Sequence, residues 1–321
     1  MERDWPWGDE PQGMAEIGIL HGTLESFPQA VLEELNSFRR GCCKYLTIDA
    51  LNLDLKEEAG WDTPVVLDLF SRRLPFLNES LYLVWQFSQT KVLNEPRTLR
   101  LHNRATVRQL ARKAGFKTPV SYLFPARETF PKLPNEGFAN LKYPVCWEEA
   151  FQQCGPYAIL QSLNFNGESP ELVTDLSGLW RRYNETGSGL QELVSPPTSQ
   201  RLYRVFFVGE VMLVREMDPL TRQLLPSHKA SDKAALAMAG AAQELRKEIH
   251  LSISSFDFGW DGRDVEYIDL NPDPTLEWWN LGERDFSLLV DGAVEMLKTY
   301  LPPTIKKKSS RSRTSTKKGK R

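Results

Sequence analysis

Three oxygen-bearing side chains near the C-terminal end of the chain, Asp257, Asp269 and Asn271, could together hold a metal ion. The surrounding residues alternate between apolar and polar types, which is typical of half-buried strands, and Asp261-Gly262 between the two runs is a hairpin turn signal. Asn271 follows Asp269 by two positions, so the two side chains share one face of a strand. A hard cation such as Mg²⁺ takes such oxygens as ligands. Solubility at an edge strand and a following turn explain the same pattern equally well.

The elements that must position these side chains begin with a small parallel-sheet domain. The apolar run Glu16–Leu20 is followed by a turn and by a helix at Phe27–Leu35 with proline in its first turn. Further strands are predicted at Lys44–Ile48, Val65–Asp68 and Lys91–Leu93. Strands alternating with helices form βαβ units, which build parallel sheets.

From Leu101 onwards the predicted elements change. A helix ends near Gly115, and a strand at Tyr157–Leu160 leads into the loop Asn164–Ser169, whose small residues would let backbone N–H groups approach an anion. The runs LQELV and YRVFFVGEVMLVRE predict further strands. The helix predicted at Asp232–His250 then leads into the acidic hairpin.

Length and composition indicate a folded protein of about two domains. The chain has 321 residues and 41% hydrophobic residues, and domains contain roughly 100–200 residues. No charged start precedes an apolar segment, and no stretch of about 18 apolar residues is present, so we expect a cytoplasmic protein without a membrane span. The four cysteines lack the spacing of a zinc site, and we expect all of them to be reduced and buried.

The net charge of −2 hides a strong asymmetry along the chain. The segment Lys306–Arg321 contains nine Lys or Arg and no acid, which leaves 31 basic against 42 acidic residues in the rest of the chain. Such a segment is too polar to fold alone, and we predict a disordered basic tail. It could bind nucleic acid or another acidic partner through its charge, or simply keep the protein in solution.

The order of these elements, from about Val65 to Leu301, resembles that of the ATP-grasp superfamily. The segments NLKYPVCWEEAFQQCGPYAILQSLNFNGES and LQELV resemble the strand and loop that cover the triphosphate and the hinge that holds adenine. YRVFFVGEV resembles the strand with a phosphate-binding arginine, and DFGWDGRDVEYIDLNPDP resembles the metal hairpin. The spacing of the three oxygen-bearing residues is similar to that in ribosomal-protein glutamate ligases, and glutathione-synthetase-type carboxylate–amine ligases are similar as well.

The resemblance implies an α/β chain with an ATP-grasp fold behind a Rossmann-like parallel-sheet domain. It implies a ligase in which ATP phosphorylates a carboxylate and an amine or thiol attacks the acyl phosphate. ATP and Mg²⁺, or Mn²⁺ in its place, would be the cofactors, and a small-molecule carboxylate or a peptide the substrate. Asp257, Asp269 and Asn271 would be the metal ligands, and Arg204 would act on the phosphates in catalysis. Nucleotide contacts are implied for six residues: Arg104, Gln161, Gln191, Glu192, Leu193 and Val194.

The same resemblance implies the domain boundaries. Residues 1–13 would form an N-terminal extension, residues 14–100 the parallel-sheet domain and residues 101–303 the ATP-grasp domain. Residues 120–195 would form a flexible subdomain within it, and residues 304–321 the basic tail.

Two positions depart from the family pattern. The family usually has a lysine in the strand before the triphosphate loop, where this chain has Gln161, and a second family lysine is replaced by Arg104. An amide brings no charge to a phosphate, and arginine differs from lysine in shape. Three hypotheses therefore stay open: a ligase, a nucleotide-binding regulatory or scaffold protein that has lost turnover, and a factor that associates with nucleic acid or ribosomes through its basic tail.

Overall fold

The computed structural model describes residues 16–22, 26–46, 63–71, 74–124, 146–165, 170–185, 189–219, 221–229 and 231–302. These residues form thirteen strands and nine helices. The strands are arranged in one parallel and two antiparallel sheets. The predicted α/β fold class is therefore confirmed. The predicted N-terminal extension, the basic tail and residues 166–169 of the predicted loop lie outside the described residues. None of the described helices is long and apolar enough to cross a membrane.

The parallel sheet has the strand order β2-β1-β3-β4. Its strands are β1 (Ile17–Leu20), β2 (Cys43–Tyr45), β3 (Val65–Asp68) and β4 (Lys91–Leu93). Every residue of β1 and β3 is buried, as expected for central strands that are covered on both faces. The helices α1 (Ser26–Phe38) and α2 (Pro75–Phe87) connect these strands. In α1, Phe27, Val31 and Leu35 recur at helical spacing and form the buried stripe.

The first antiparallel sheet has the order β5-β8-β6-β7. Its strands are β5 (Ser121–Phe124), β6 (Ala158–Ser162), β7 (Glu171–Val173) and β8 (Gln191–Val194). The helices α5 (Trp147–Cys154) and α6 (Leu176–Glu185) cover one face, where Leu160 and Leu193 join the core. Because side chains alternate along a strand, the neighbouring Gln161 and Glu192 project from the other face.

The second antiparallel sheet has the order β11-β10-β9-β12-β13. Its strands are β9 (Arg201–Val208), β10 (Val211–Met217), β11 (Leu224–Lys229), β12 (Ile253–Trp260) and β13 (Val265–Asn271). The helix α7 (Asp232–Ile249) packs on the face that carries Tyr203, Val205 and Phe207. Arg204 lies between these residues and therefore projects from the opposite face.

The remaining helices join the sheets to one another. They are α3 (Pro96–Leu101), α4 (Arg104–Lys113), α8 (Trp278–Leu281) and α9 (Glu283–Lys298). The Asn103 side chain accepts a hydrogen bond from the Thr106 N–H at 2.9 Å and so caps α4. Apolar residues of α9 share one core with α1 and with the ends of β9 and β12.

The cysteines differ in exposure. Cys42, Cys43 and Cys154 are free and buried, as expected, and burial raises the pKa of the Cys154 thiol to about 11. Cys146 is free but exposed, so the prediction that all four are buried is wrong for this residue. It precedes α5 directly and stays outside the core of that subdomain.

Two helical glycines predict opposite responses to alanine. An alanine Cβ at Gly292 in α9 would lie 2.7 Å from Val211 Cγ2 and 2.9 Å from the Val208 carbonyl oxygen, whereas at Gly240 in α7 it would meet nothing within 4 Å. We expect Gly292→Ala to lower the free energy of unfolding by about 1–3 kcal/mol through overpacking. Gly240→Ala should raise it by about 0.5–1 kcal/mol through helix propensity. Urea unfolding of both variants checks this, and equal shifts would contradict the close packing of α9 on the sheet.

Candidate active site between the two antiparallel sheets

A row of charged residues crosses the five-stranded sheet. The register pairs Asp269 with Asp257, Asp257 with Arg204, and Arg204 with Arg215. Directly paired residues lie on the same face of a sheet. The fold therefore brings the two predicted metal-binding carboxylates beside the predicted phosphate-binding arginine.

Asn271 and Ser255 form the neighbouring pair of the same face. The register pairs Ser255 on β12 with Asn271 on β13, two positions from the two aspartates. The Asn271 Oδ1 accepts a hydrogen bond from the Asp273 N–H at 2.9 Å. The Ser255 Oγ is buried and has no hydrogen-bond partner among the described residues. Two carboxylates, an amide oxygen and a hydroxyl without a partner are the oxygen donors that a hard cation accepts, so the residues present fit such an ion.

No group of three or more His, Cys, Asp or Glu side chains in the described part of the chain could hold a metal. The donor set at this site contains only two such residues, Asp257 and Asp269. Mg²⁺ is usually held by one or two carboxylates together with other oxygens, so a donor set of this size is compatible with the predicted Mg²⁺ site. A zinc-like cluster is not formed by the described residues.

Each of the two carboxylates is held by an arginine. Arg204 donates from Nε to Asp257 Oδ1 at 2.7 Å and from Nη2 to Oδ2 at 2.8 Å. Arg104 donates from Nε to both oxygens of Asp269, at 3.1 and 3.3 Å. Both aspartates are largely buried, with exposed fractions of 5% and 9%. Burial acts to lower the pKa of Arg204, but the nearby Asp257 and Asp269 raise it above its ordinary value, so the arginine stays charged.

Arg104 also links the two antiparallel sheets. Its Nη1 donates to the backbone oxygens of Ser162 and Asn164, at 2.7 and 3.0 Å, where β6 ends. Its guanidinium lies 4.9 Å from the centre of the Phe165 ring. One side chain at the start of α4 therefore connects the strand before the predicted triphosphate loop to the acidic hairpin.

Arg108 makes the corresponding contact to the four-stranded sheet. It donates from Nη1 to Glu192 Oε2 at 2.6 Å and from Nη2 to Oε1 at 3.2 Å, and Gln161 Nε2 donates to the same Oε1 at 2.6 Å. Both charged residues are 1% exposed. Burial acts to lower the pKa of Arg108, but Glu192 raises it above its ordinary value. Both oxygens of Glu192 already accept hydrogen bonds, so an adenine amino group would have to compete with these donors for this side chain.

The other predicted hinge residues lie in a central strand. β8 is flanked by β5 and β6, and the register pairs each of its four residues with both neighbours. The backbone groups of Leu193 and Val194 are therefore used in the ladders. The Leu193 side chain packs into the core, and the Gln191 Oε1 is buried without a partner among the described residues. The sequence-based assignment of these residues to adenine stays a prediction.

Glu266 is a residue of this region that the sequence analysis missed. It is buried on β13, and its carboxylate accepts from the N–H and the hydroxyl of both Thr198 and Ser199, at 2.9–3.2 Å. These two residues lie in the connection between β8 and β9, which joins the antiparallel sheets. Arg108 was also missed, although its position four residues after Arg104 places both on one face of a helix. The sequence held no comparable signal for Glu266.

No protein-family model and no curated protein sequence matches the chain. Solved structures do match in fold. A RimK-domain ATP-grasp protein from Sphaerobacter thermophilus matches with a TM-score of 0.60 at 14% identity, over 88% of this chain and 99% of that protein. The macrocyclase MdnC from Microcystis aeruginosa, bound with the precursor peptide MdnA, matches with a TM-score of 0.61 at 12% identity, over 88% and 99%.

A third similar structure is the D-alanine–D-alanine ligase from Bacillus anthracis, complexed with ATP. It matches with a TM-score of 0.57 at 11% identity, over 88% of this chain and 97% of that enzyme. At these identities the likeness concerns the fold. The parallel sheet followed by two antiparallel sheets, aligned over nearly the whole length of each of these proteins, identifies the chain as having the ATP-grasp fold.

Proposed function

We propose that the protein binds ATP with a divalent cation and uses it to join a carboxylate to an amine or a thiol. The carboxylate oxygen would attack the γ-phosphorus and release ADP, and the nucleophile would then attack the acyl carbon and release phosphate. The observation that carries this proposal is the charged row. Asp257, Asp269 and Asn271 share one sheet face with Arg204, and Arg104 reaches the same place from α4.

The three oxygen ligands and the two arginines would have different roles in binding the polyphosphate. Asp257, Asp269 and Asn271 would hold Mg²⁺ or Mn²⁺, which offsets the negative charge of the phosphates. Without nucleotide, Arg204 and Arg104 neutralise the two aspartates. When these carboxylates turn to the cation, the guanidinium groups become free, and their planar forks suit phosphate oxygens. Binding of the cation and binding of the polyphosphate are therefore coupled. The cation takes the two carboxylates from the arginines, and the polyphosphate binds the arginines that are released.

The nucleobase side of the site would lie along β8 and β6. Gln161 and Glu192 project from the same face of these strands, away from α5 and α6, and both are at least 95% buried. Buried polar groups hold a ligand in one orientation because an unpaired group is costly. We assign Gln161 and the stretch from Gln191 to Val194 to orienting the nucleotide, and Arg104 and Arg204 to its phosphates.

The substrate is proposed by chemical class. The fold is shared with a ligase of two small amino acids and with a macrocyclase that was solved with its precursor peptide. We therefore propose a small carboxylate or a peptide carboxylate as the acid.

The test uses the full-length protein. We expect ATP to raise the melting temperature when Mg²⁺ is present, and we expect ADP release when pools of carboxylic acids and amines or peptides are supplied. Asp269→Ala should abolish both effects because it removes a carboxylate from the cation site. Asp264→Ala is the matched control, since Asp264 lies in the turn of the same hairpin, between β12 and β13, with an exposed side chain that contacts Lys117. A wild-type protein whose melting temperature does not respond to any nucleoside triphosphate would rule out the proposal.

A nucleotide-binding protein without turnover is the second candidate. The observation that favours it is the full pairing of the site: Arg204 with Asp257, Arg104 with Asp269, and Arg108 with Glu192. Such pairing gives a neutral, closed arrangement that is stable in the absence of a substrate. Tight ATP binding without ADP release from any acid and nucleophile pool would support this candidate over the ligase.

A further inference from the structure

Glu192 is a buried carboxylate whose strand neighbours bring it no charge. The register places Gln161 beside it on β6 and Leu123 on β5. Glu192 is 1% exposed, and a carboxylate at such a depth needs a cation or many donors to remain ionised. Its cation must therefore come from outside the sheet, and Arg108 of α4 provides it through two hydrogen bonds.

We propose that Arg108 is a positioning residue of the nucleotide site, which supplies from α4 the positive charge that position 161 on β6 lacks. It acts through Glu192 and Gln161 rather than by touching the nucleotide, since it is itself 1% exposed. The inference rests on the proposed function, because the site that Arg108 organises is the proposed nucleotide site.

The geometry of the three side chains supports this role. A carboxylate only accepts hydrogen bonds, so Gln161 must turn its amide nitrogen towards Glu192, at 2.6 Å, and its amide oxygen elsewhere. The two hydrogen bonds from Arg108 fix the plane of the Glu192 carboxylate and, through it, the orientation of Gln161. The Arg108 Nε has no partner among the described residues, so Glu192 is its only hydrogen-bonded anchor within that part of the chain.

The helix explains why the charge can come from α4. Arg104 and Arg108 are one turn apart, so both side chains project from the same side of the helix. Arg104 reaches Asp269 on β13, and Arg108 reaches Glu192 on β8. A single helix thus brings one cation to each antiparallel sheet. Position 161 can then hold a neutral amide without leaving Glu192 unpaired.

The experiment moves the cation from the helix to the strand. Arg108→Met removes it, Arg108→Met combined with Gln161→Lys restores a cation on β6, and Arg108→Met combined with Gln161→Met is the uncharged control. Each protein is tested for its own melting temperature and for the affinity of ATP with Mg²⁺. We expect ATP affinity to fall about tenfold or more in the single variant and in the control, because Glu192 without its cation takes up a proton and no longer holds the side chain at position 161 in one orientation. The relocated cation should restore affinity to within about threefold of the wild type.

The rescue distinguishes a charge effect from a packing effect, because a lysine on β6 does not refill the space that Arg108 leaves on α4. An unfolded single variant together with a folded, ATP-binding relocated variant also supports the proposal. Undiminished ATP affinity in Arg108→Met overturns it, and so does a relocated variant that does not fold or does not recover affinity. If the wild type binds no nucleotide, the proposed function fails, and the melting temperatures alone decide whether a lysine at position 161 replaces Arg108.

Discussion

Replacing Glu266 with alanine is expected to lower the free energy of unfolding by about 3 kcal/mol or more, which is among the largest single effects in this protein. The Glu266 carboxylate accepts hydrogen bonds from the N–H and hydroxyl groups of Thr198 and Ser199. Alanine would remove the charged acceptor of two backbone N–H groups and two hydroxyl groups on partly exposed residues, and a hydrogen bond to a charged group contributes about 1.5–3 kcal/mol. Chemical unfolding of the two proteins measures the difference.

Glu266 is also expected to affect nucleotide binding at the candidate active site. Its register partner on β12 is Gly259, and a Cβ on this glycine would lie 2.5 Å from the Cβ of Ser199. The connection between the sheets therefore lies directly against the strand, and Glu266 fixes it there. We expect Glu266→Ala to weaken ATP binding as well. Arg104 contacts one antiparallel sheet and Arg108 the other, so both contacts require the two sheets to keep their positions relative to α4.

Two variants serve as controls for this prediction. Glu266→Gln keeps one acceptor oxygen and should lose only part of the stability, about 1–2 kcal/mol. Glu210→Ala removes a carboxylate whose side chain is 97% exposed, and it should change stability by no more than about 0.5 kcal/mol. Equal losses for Glu266→Ala and Glu210→Ala would show that the hydrogen bonds of Glu266 contribute nothing.

Local patterns predicted the elements that carry the site. The strands β3 and β4 have the bounds that the sequence indicates, and the shared face of Asp269 and Asn271 follows from their spacing of two residues. Other elements were missed. No strand was predicted where β11 lies and no helix where α9 lies, although both complete the second antiparallel sheet and its packing.

The partners of the charged residues could not be predicted from local patterns. Arg104 contacts Asp269 across 165 positions of the chain, and Arg108 contacts Glu192 across 84. Spacing within an element shows which side chains share a face, but the pairing of faces is decided by how the elements pack. For this reason the resemblance implies a missing charge at Gln161, and only the packing of α4 reveals that Arg108 lies against Glu192 beside it.

Arg104→Gln is expected to change the binding of metal and of nucleotide in opposite directions. In the wild type without nucleotide, the Arg104 guanidinium pairs with the Asp269 carboxylate, with Nε 3.1 Å from Oδ1. A divalent cation must therefore displace Arg104 from this carboxylate. Removing that charge should raise the affinity for Mn²⁺ alone by about tenfold, because Asp269 no longer has an internal cation. The affinity for ATP in the presence of Mn²⁺ should fall about tenfold, because a charge-assisted contact to phosphate is lost. Electron paramagnetic resonance of free Mn²⁺, with and without a non-hydrolysable ATP analogue, measures both affinities.

The opposite changes in the two affinities distinguish competition between Arg104 and the cation for Asp269 from general damage to the site. A distorted site would bind both Mn²⁺ and the nucleotide more weakly, whereas an arginine that competes for Asp269 weakens metal binding only while no phosphate is present. Arg112→Gln is the matched control, because Arg112 lies on the same helix but donates to Thr118 and to the Pro119 carbonyl. We expect it to leave both affinities unchanged. If Arg104→Gln binds Mn²⁺ alone no better than the wild type does, Asp269 is not kept from the cation by Arg104, and the coupled binding of cation and polyphosphate loses its structural basis.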